Sequence, residues 1–471
     1  MRALPLLLLL AAGCPAGDSA TPDSDTQGPG PGDSDTGDSL PPDAAWPPYS
    51  RDPGWESSDD GYGTGAAWAD IDGDGTLDLV IAYGNDMEPG PLAVHYSVDG
   101  AIAERADWTS EGDAYHGHIA VGDVDGDGFT DVVTALFIGP AGFDSPGGLA
   151  LYLNEGGTLP DNPSWQTGEE IYCFSVALGD IDNDGDLDLA AATGEPYYHD
   201  PEPDLLWLNQ GGWFDDPPAW QSQDASWSMD VAFLDADADG AMDLVFARQD
   251  SPHALYLNQG SGLAASLPQS SPAWESEGTG YEGNTVDFGD VDGDGWLDLV
   301  ISDNMQLGGP GTVSLYSGPD LERSWESADE PAYQSAVGLV DLDDDGDLDL
   351  AAGSWWGALR LYRNREGLDS EPSYTSASAL PVMEAFAFHD LDGGSAWERD
   401  IQGDGPLLAL PRPCQVVATS VPGAVGDGWF SAPTDQPVQV TCRVSGAPDL
   451  AISDWNFGRG NLLFEHQGES P

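Results

Sequence analysis

An acidic stretch recurs along this chain at nearly constant spacing, and nothing else in the sequence limits the fold so strongly. The copies read DIDGDGTLDL from Asp70, DVDGDGFTDV from Asp123, DIDNDGDLDL from Asp180, DADADGAMDL from Asp235, DVDGDGWLDL from Asp290 and DLDDDGDLDL from Asp341. A weakened seventh copy begins at Asp390 (DLDGGSAWE). An eighth keeps only the frame: Thr441 to Leu450 reads TCRVSGAPDL, with Gly446 and Asp449 where Gly346 and Asp349 stand in the sixth. A period of roughly 50 residues marks one supersecondary unit repeated in tandem, each copy relying on its neighbours to bury its apolar face.

A second marker keeps the same period. An aromatic is followed two residues later by Ser or Thr at Trp55, Trp108, Trp165, Trp220, Trp274, Trp325, Tyr374 and Trp429. Between the markers run short apolar or alternating segments: HIAVGD from His118 before a loop, LDLVIA from Leu77 after one, then LALYLN from Leu149 or LRLYRN from Leu359. Gly, Pro, Asn and Asp punctuate them, and no amphipathic helical stretch of useful length appears. Each unit therefore reads as four short strands, and the whole as an all-β chain, a β-propeller of eight four-stranded blades with seven as the alternative. The last run, NLLFEH from Asn461, has no aromatic-x-Ser after it. The strand near Trp55 is expected to supply that missing edge and close the ring, leaving no open sheet at the seam. The propeller is expected over residues 53–471.

Residues 1–14 read as a targeting segment. Arg2 precedes an apolar run from Leu4 to Ala12 that is too short to span a bilayer, and small residues lead to Cys14. This resembles a bacterial lipobox, which implies diacylation of Cys14 and an outer-membrane or cell-surface lipoprotein; a secreted soluble protein is the alternative. Residues 15–52 are nearly all Gly, Pro, Asp, Ser and Thr, the composition of an unstructured tether. Cys173, Cys414 and Cys442 remain, an odd number whose pairing the sequence leaves open.

The charge excludes several function classes. With 84 acidic against 12 basic residues the formal net charge is −72, and every basic residue is arginine. Such a field repels nucleic acid and anionic membranes. Without lysine there is no Schiff-base chemistry and no phosphate-binding P-loop. His116 and His118 lie two apart on one strand, yet no nucleophile elbow, zinc-protease helix or Cys–His constellation accompanies them, so no catalytic residue is assigned.

Much of the acid has a specific reading. In D-x-D-x-D-G-x-x-D the carboxylates at positions 1, 3 and 5 converge, glycine at 6 allows the bend, residue 7 offers its carbonyl, and the aspartate at 9 completes the set. Hard oxygen donors without thiolate or imidazole favour Ca²⁺. The expected ligands are Asp70, Asp72, Asp74, Thr76 and Asp78; Asp123, Asp125, Asp127, Phe129 and Asp131; Asp180, Asp182, Asp184, Asp186 and Asp188; Asp235, Asp237, Asp239, Ala241 and Asp243; Asp290, Asp292, Asp294, Trp296 and Asp298; and Asp341, Asp343, Asp345, Asp347 and Asp349. That makes about six ions. The seventh loop keeps Asp390 and Asp392 but has Gly394 and Glu398 at positions 5 and 9, leaving its occupancy open. In the eighth, where Thr441, Arg443 and Ser445 replace the acids, no metal is expected.

These residues resemble FG-GAP and VCBS repeats, the calcium-loop blades of integrin α-subunit propellers and of many bacterial surface proteins. YGTGAAWADIDGDGTLDLV from Tyr62 and YHGHIAVGDVDGDGFTDVV from Tyr115 carry the likeness, as do LYLNEGG from Leu151 and LYLNQGS from Leu255. The resemblance implies a propeller with calcium on its outer loops and recognition through its faces. Tyr62, Tyr115, Tyr172, Trp227, Tyr281 and Tyr333 precede the first strand of each unit and are expected to encircle the axis. Similar positions in integrins form a cup for a cationic partner, so this ring is a candidate ligand face for a protein or glycan. The expectation is a calcium-stabilised, extracellular binding or adhesion propeller that is monomeric; a polysaccharide-acting enzyme or a purely structural envelope protein is the alternative.

Overall fold

The computed structural model describes residues 53–404 without 60, 99–100, 169, 261–265, 279–280, 307, 329, 344, 366, 377–381 and 390–396, then the strands 407–409, 415–419, 424–426, 429–431, 437–444, 449–454 and 462–464. Side chains among these are described up to residue 389 and at 450–452. Cys14, the tether at 15–52, the start of the seventh loop at Asp390, Asp392 and Gly394, and Cys414 lie outside the described residues.

All regular elements described are strands, in a β-propeller arrangement. The first sheet sets the pattern: Gly63–Ala69, Asp78–Gly84, Pro89–His95 and Trp108–Thr109 pair antiparallel in that order, inner to outer. Four-stranded sheets of this kind start at Tyr115–Gly122, Gly283–Gly289 and Tyr333–Val340. Two others are joined because Trp220–Leu234 is continuous: its first half edges the sheet that begins at Cys173–Gly179, and its second half pairs with Asp243–Gln249. The aromatic-x-Ser/Thr marker is the outer strand in each case, and its hydroxyl explains the pattern. Ser110 accepts the N–H of Leu92 at 3.0 Å, Ser222 that of Asp204 at 2.9 Å and Ser327 that of Val313 at 3.1 Å, pinning the short edge strand to the third strand.

The inner strands lie against one another in sequence order, and Met383–His389 touches both Tyr333–Val340 and Gly63–Ala69. Apolar layers fill the spaces between sheets. Val80 and Ala82 pack with Val132 and Ala150 of the next sheet, and Leu79 and Ile81 pack with Ala387 and Ala451 of the last. These strands are buried on both faces, which is why runs such as LDLVIA are apolar almost throughout.

The expectation of eight blades is corrected at the C-terminal end. His389 pairs with Asp449 in the register in which Ala69 pairs with Asp78 and Gly122 with Asp131. Asp449 is thus position nine of the seventh loop, and the intervening residues are an insertion inside that loop. They form two three-stranded sheets of their own, ordered Trp397–Asp404, Pro437–Val444, Gln415–Thr419 and Leu407–Ala409, Trp429–Ser431, Ala424–Gly426. Trp429 consequently lies on a middle strand of the insertion rather than on the edge of an eighth blade. Glu398 faces Arg443 in strand pairing instead of closing the seventh loop. The frame at Thr441–Leu450 matched a unit because its end is the second strand of the seventh. That last sheet runs Met383–His389, Asp449–Asp454, Leu462–Phe464, Trp55–Glu56, with Trp55 opposite Leu463.

Candidate functional site: the acidic loops and the opposite face

Each acidic loop joins an inner strand to the second strand of its sheet. In the first, Asp70 accepts N–H bonds from Gly73 at 2.8 Å and Gly75 at 3.0 Å, Asp72 from Asp74 at 3.0 Å, and Asp74 from Thr76 at 2.8 Å. The bond from glycine six to position one recurs at Asp123, Asp180, Asp235, Asp290 and Asp341. Glycine is required there: φ is +93° at Gly75 and +97° at Gly346, a left-handed conformation that a Cβ disfavours. Backbone bonds therefore hold the side chains of positions 1, 3 and 5 before any ion arrives.

The aspartate at position nine is different. Asp131 is fully buried and accepts Val124 N–H at 2.8 Å and Asn154 N–H at 2.7 Å, one on each oxygen. Asp78, Asp188, Asp243, Asp298 and Asp349 are held in the same way. Burial, outweighing these bonds and reinforced by the neighbouring acids, pushes Asp131 up to about 7 and Asp243 and Asp349 to about 8. A carboxyl so displaced is one that a nearby cation would relieve.

The donor sets fit calcium in loops one to five. Ligand-capable oxygens of Asp70, Asp72 and Asp78 lie within 4.8 Å of one another, as do those of Asp180, Asp182 and Asp188. Positions 1, 3 and 5 converge within the same distance at Asp123, Asp125 and Asp127, at Asp235, Asp237 and Asp239, and at Asp290, Asp292 and Asp294. Oxygens bound at about 2.4 Å on opposite sides of one Ca²⁺ stand just this far apart. Thr76, Phe129, Asp186, Ala241, Trp296 and Asp347 occupy position seven. The sixth loop contains something the others lack. The guanidinium of Arg363 contacts Asp343 directly and lies 3.8 Å from Asp345.

At the other ends of the strands is a depression of about 430 Å³, lined by Tyr62, Asp86, Met87, Phe143, Tyr197, Tyr198, Gln306, Trp355, Trp356 and Val382. Of the six aromatics expected around the axis, Tyr62 alone is in this lining. Tyr172 stacks on His199 at 4.2 Å and donates to the Phe143 carbonyl; Trp227 donates to the His199 carbonyl. Tyr281 bonds the Ser276 carbonyl, Tyr333 meets Trp356 edge-on, and Tyr115 packs beside Phe137 and Phe174. They support the face from beneath. The rings of the lining that reach solvent, Tyr197, Tyr198 and Trp356, come from the loop after the second strand, where the sequence shows no shared motif.

Below the depression the inner strands converge on a buried polar cluster. Trp355 Nε1 donates to Glu384 at 2.5 Å, and Asn284 to its other oxygen at 3.4 Å. His118 Nδ1 is 3.5 Å from Asp230, which also accepts from Ser175 at 2.5 Å. His116 is bonded to Thr134 and is held neutral by burial, its pKa lowered to about 4. Cys173 is a buried free thiol.

The sheets and their acidic loops define an all-β propeller with a repeated loop at one end of its strands. Residues 70–134, 135–191 and 235–301 match the FG-GAP-like repeat, so the chain contains three FG-GAP-like repeats. No curated protein matches it. Among solved structures it is similar to the computationally designed Ika8 protein, at 9% identity and TM-score 0.45, covering 83% of this chain and 100% of that one. It is also similar to BBS1N, solved in complex with ARL6DN and soaked with lead, at 11% identity and TM-score 0.46, covering 86% and 98%.

Proposed function

We propose that this protein is a calcium-stabilised binding propeller whose ring has seven blades, clasped by the strand at Trp55. The cyclic contact of the inner strands and the pairing of Trp55 with Leu463 support the ring. Calcium would be held by the carboxylates of the acidic loops, where it neutralises charge and ties each inner strand to the second strand of its sheet. The ligand face is the aromatic depression at the opposite end, suited to a protein or glycan partner through ring faces and the single carboxylate of Asp86. Catalysis is not part of this reading, because buried Glu384 is bonded by Trp355 and Asn284, and Asp230 by Ser175 and Val286 beside His118. Export and lipidation at Cys14 would display the propeller at the cell surface on its acidic tether.

The observation that carries the proposal is the near-identical backbone cradle at six loops. Thermal unfolding with and without EGTA tests it: removal of calcium should lower Tm by ten degrees or more. An unchanged melt would remove the metal from the account. A glycan and peptide array, probed with and without EGTA, tests the binding role; signal lost with Trp356→Ala but retained in a variant of the opposite face would locate it.

A further inference from the structure

In the sixth loop the carboxylates at positions three and five, which converge with position one in the second, fourth and fifth loops, meet an arginine. Arg363 follows Tyr362 at the end of a third strand; the residues in that place in units two, three and four are Leu153, Leu208 and Leu257. Its side chain is 8% exposed and that of Asp343 2% exposed, so the pair is shielded from solvent. The guanidinium touches Asp343 at position three and approaches Asp345 at position five, two of the three carboxylates around which an ion would have to sit. A divalent ion bound by Asp343 would be forced against a buried positive charge that cannot leave by deprotonation.

We infer that the sixth acidic loop is closed by Arg363 in place of a metal ion, so that unit six keeps its shape without calcium. The inference rests on the reading that the other loops bind calcium. It explains why an acidic loop with every aspartate in place coexists with an arginine where units two to four have leucine and units one and five have Tyr96 and Ser317. A leucine there leaves the carboxylates to an ion; an arginine brings the counter-charge with the chain.

Calcium bound per chain, measured by equilibrium dialysis of the purified full-length protein at saturating Ca²⁺, decides the matter with three variants. Asp294→Ala, in the fifth loop, should lower the count by one. Asp345→Ala, at the equivalent place in the sixth, should leave it unchanged. Arg363→Leu should raise it by one and make unit six sensitive to EGTA. A drop of one with Asp345→Ala overturns the inference, as does a folded Arg363→Leu protein with the wild-type count. If Arg363→Leu does not fold, the pair at Asp294 and Asp345 still discriminates. Should wild type bind no calcium at all, the calcium reading itself fails, and this inference with it.

Discussion

At the scale of single residues, the four aspartates of a loop divide the work. In the second loop positions 1, 3 and 5 are more exposed than position nine, which spends both oxygens on backbone N–H groups, one from the loop itself and one from a residue just after the third strand. For Asp131 these are Val124 and Asn154. Asp131→Ala leaves two buried donors unmet, and we expect a loss of roughly 2–5 kcal/mol. That loss should persist in EGTA. Asp125→Ala, which removes a more exposed carboxylate at position three, should destabilise the protein only while calcium is present. Urea unfolding of both variants, with and without chelator, separates the two roles; equal sensitivity to EGTA would show that position nine acts through the metal alone.

At the scale of elements, neighbouring sheets are fastened by an asparagine that ends the third strand. Asn258 Nδ2 donates to Ile181 O of the preceding unit at 2.8 Å and to Met242 O of its own at 3.1 Å. Asn154, Asn209 and Asn364 make the corresponding bonds to Ile71, Val124 and Val291. Each ties one acidic loop to the next sheet. Asn258→Leu keeps the volume but abandons two buried carbonyls, so a loss of about 1–3 kcal/mol is expected in equilibrium unfolding; a change within 0.5 kcal/mol would mean the staple is dispensable. These residues were visible in the sequence as the N of LYLN, but their partners lie a whole unit away, and periodicity alone does not reveal a contact between units. The loops and four-strand order were legible because they repeat. The insertion was not: it lies between His389 and the aspartate at position nine, Asp449, and its end keeps a glycine and an aspartate in the frame of a complete unit. The ligand face was legible only as far as Tyr62, since Tyr198 and Trp356 sit in irregular loops whose sequences differ from unit to unit. Arg363 stood in plain view in LYRN beside three copies with leucine, a departure whose meaning depends on where the side chain points.

At the scale of the whole molecule, the axis is where units distant in sequence meet and where burial sets protonation. Glu384 of the seventh unit is bonded by Trp355 of the sixth and Asn284 of the fifth. Burial raises its pKa from 4.5 to about 7, with Asp86 adding to the rise, while the charge of His118 and the two hydrogen bonds oppose it. His118 itself is lowered by burial but raised overall by its hydrogen bond and charge pairing with Asp230, and further by Glu384. The folded carboxyl thus holds a proton that the unfolded chain releases earlier. Its stabilising contribution is complete below about pH 4.5 and is lost as pH rises through about 7, an effect of about 3 kcal/mol for a fully buried group. Glu384→Gln keeps a carbonyl for Trp355 and has no proton to lose, and Asp230 remains as the partner of His118. In saturating calcium, the variant should therefore gain on wild type by about 2 kcal/mol between pH 5 and pH 8 in urea unfolding. A difference between the two proteins that stays constant over this range would show that Glu384 is already ionised in the folded protein. The axis would then have to hold a carboxylate charge that His118 alone compensates.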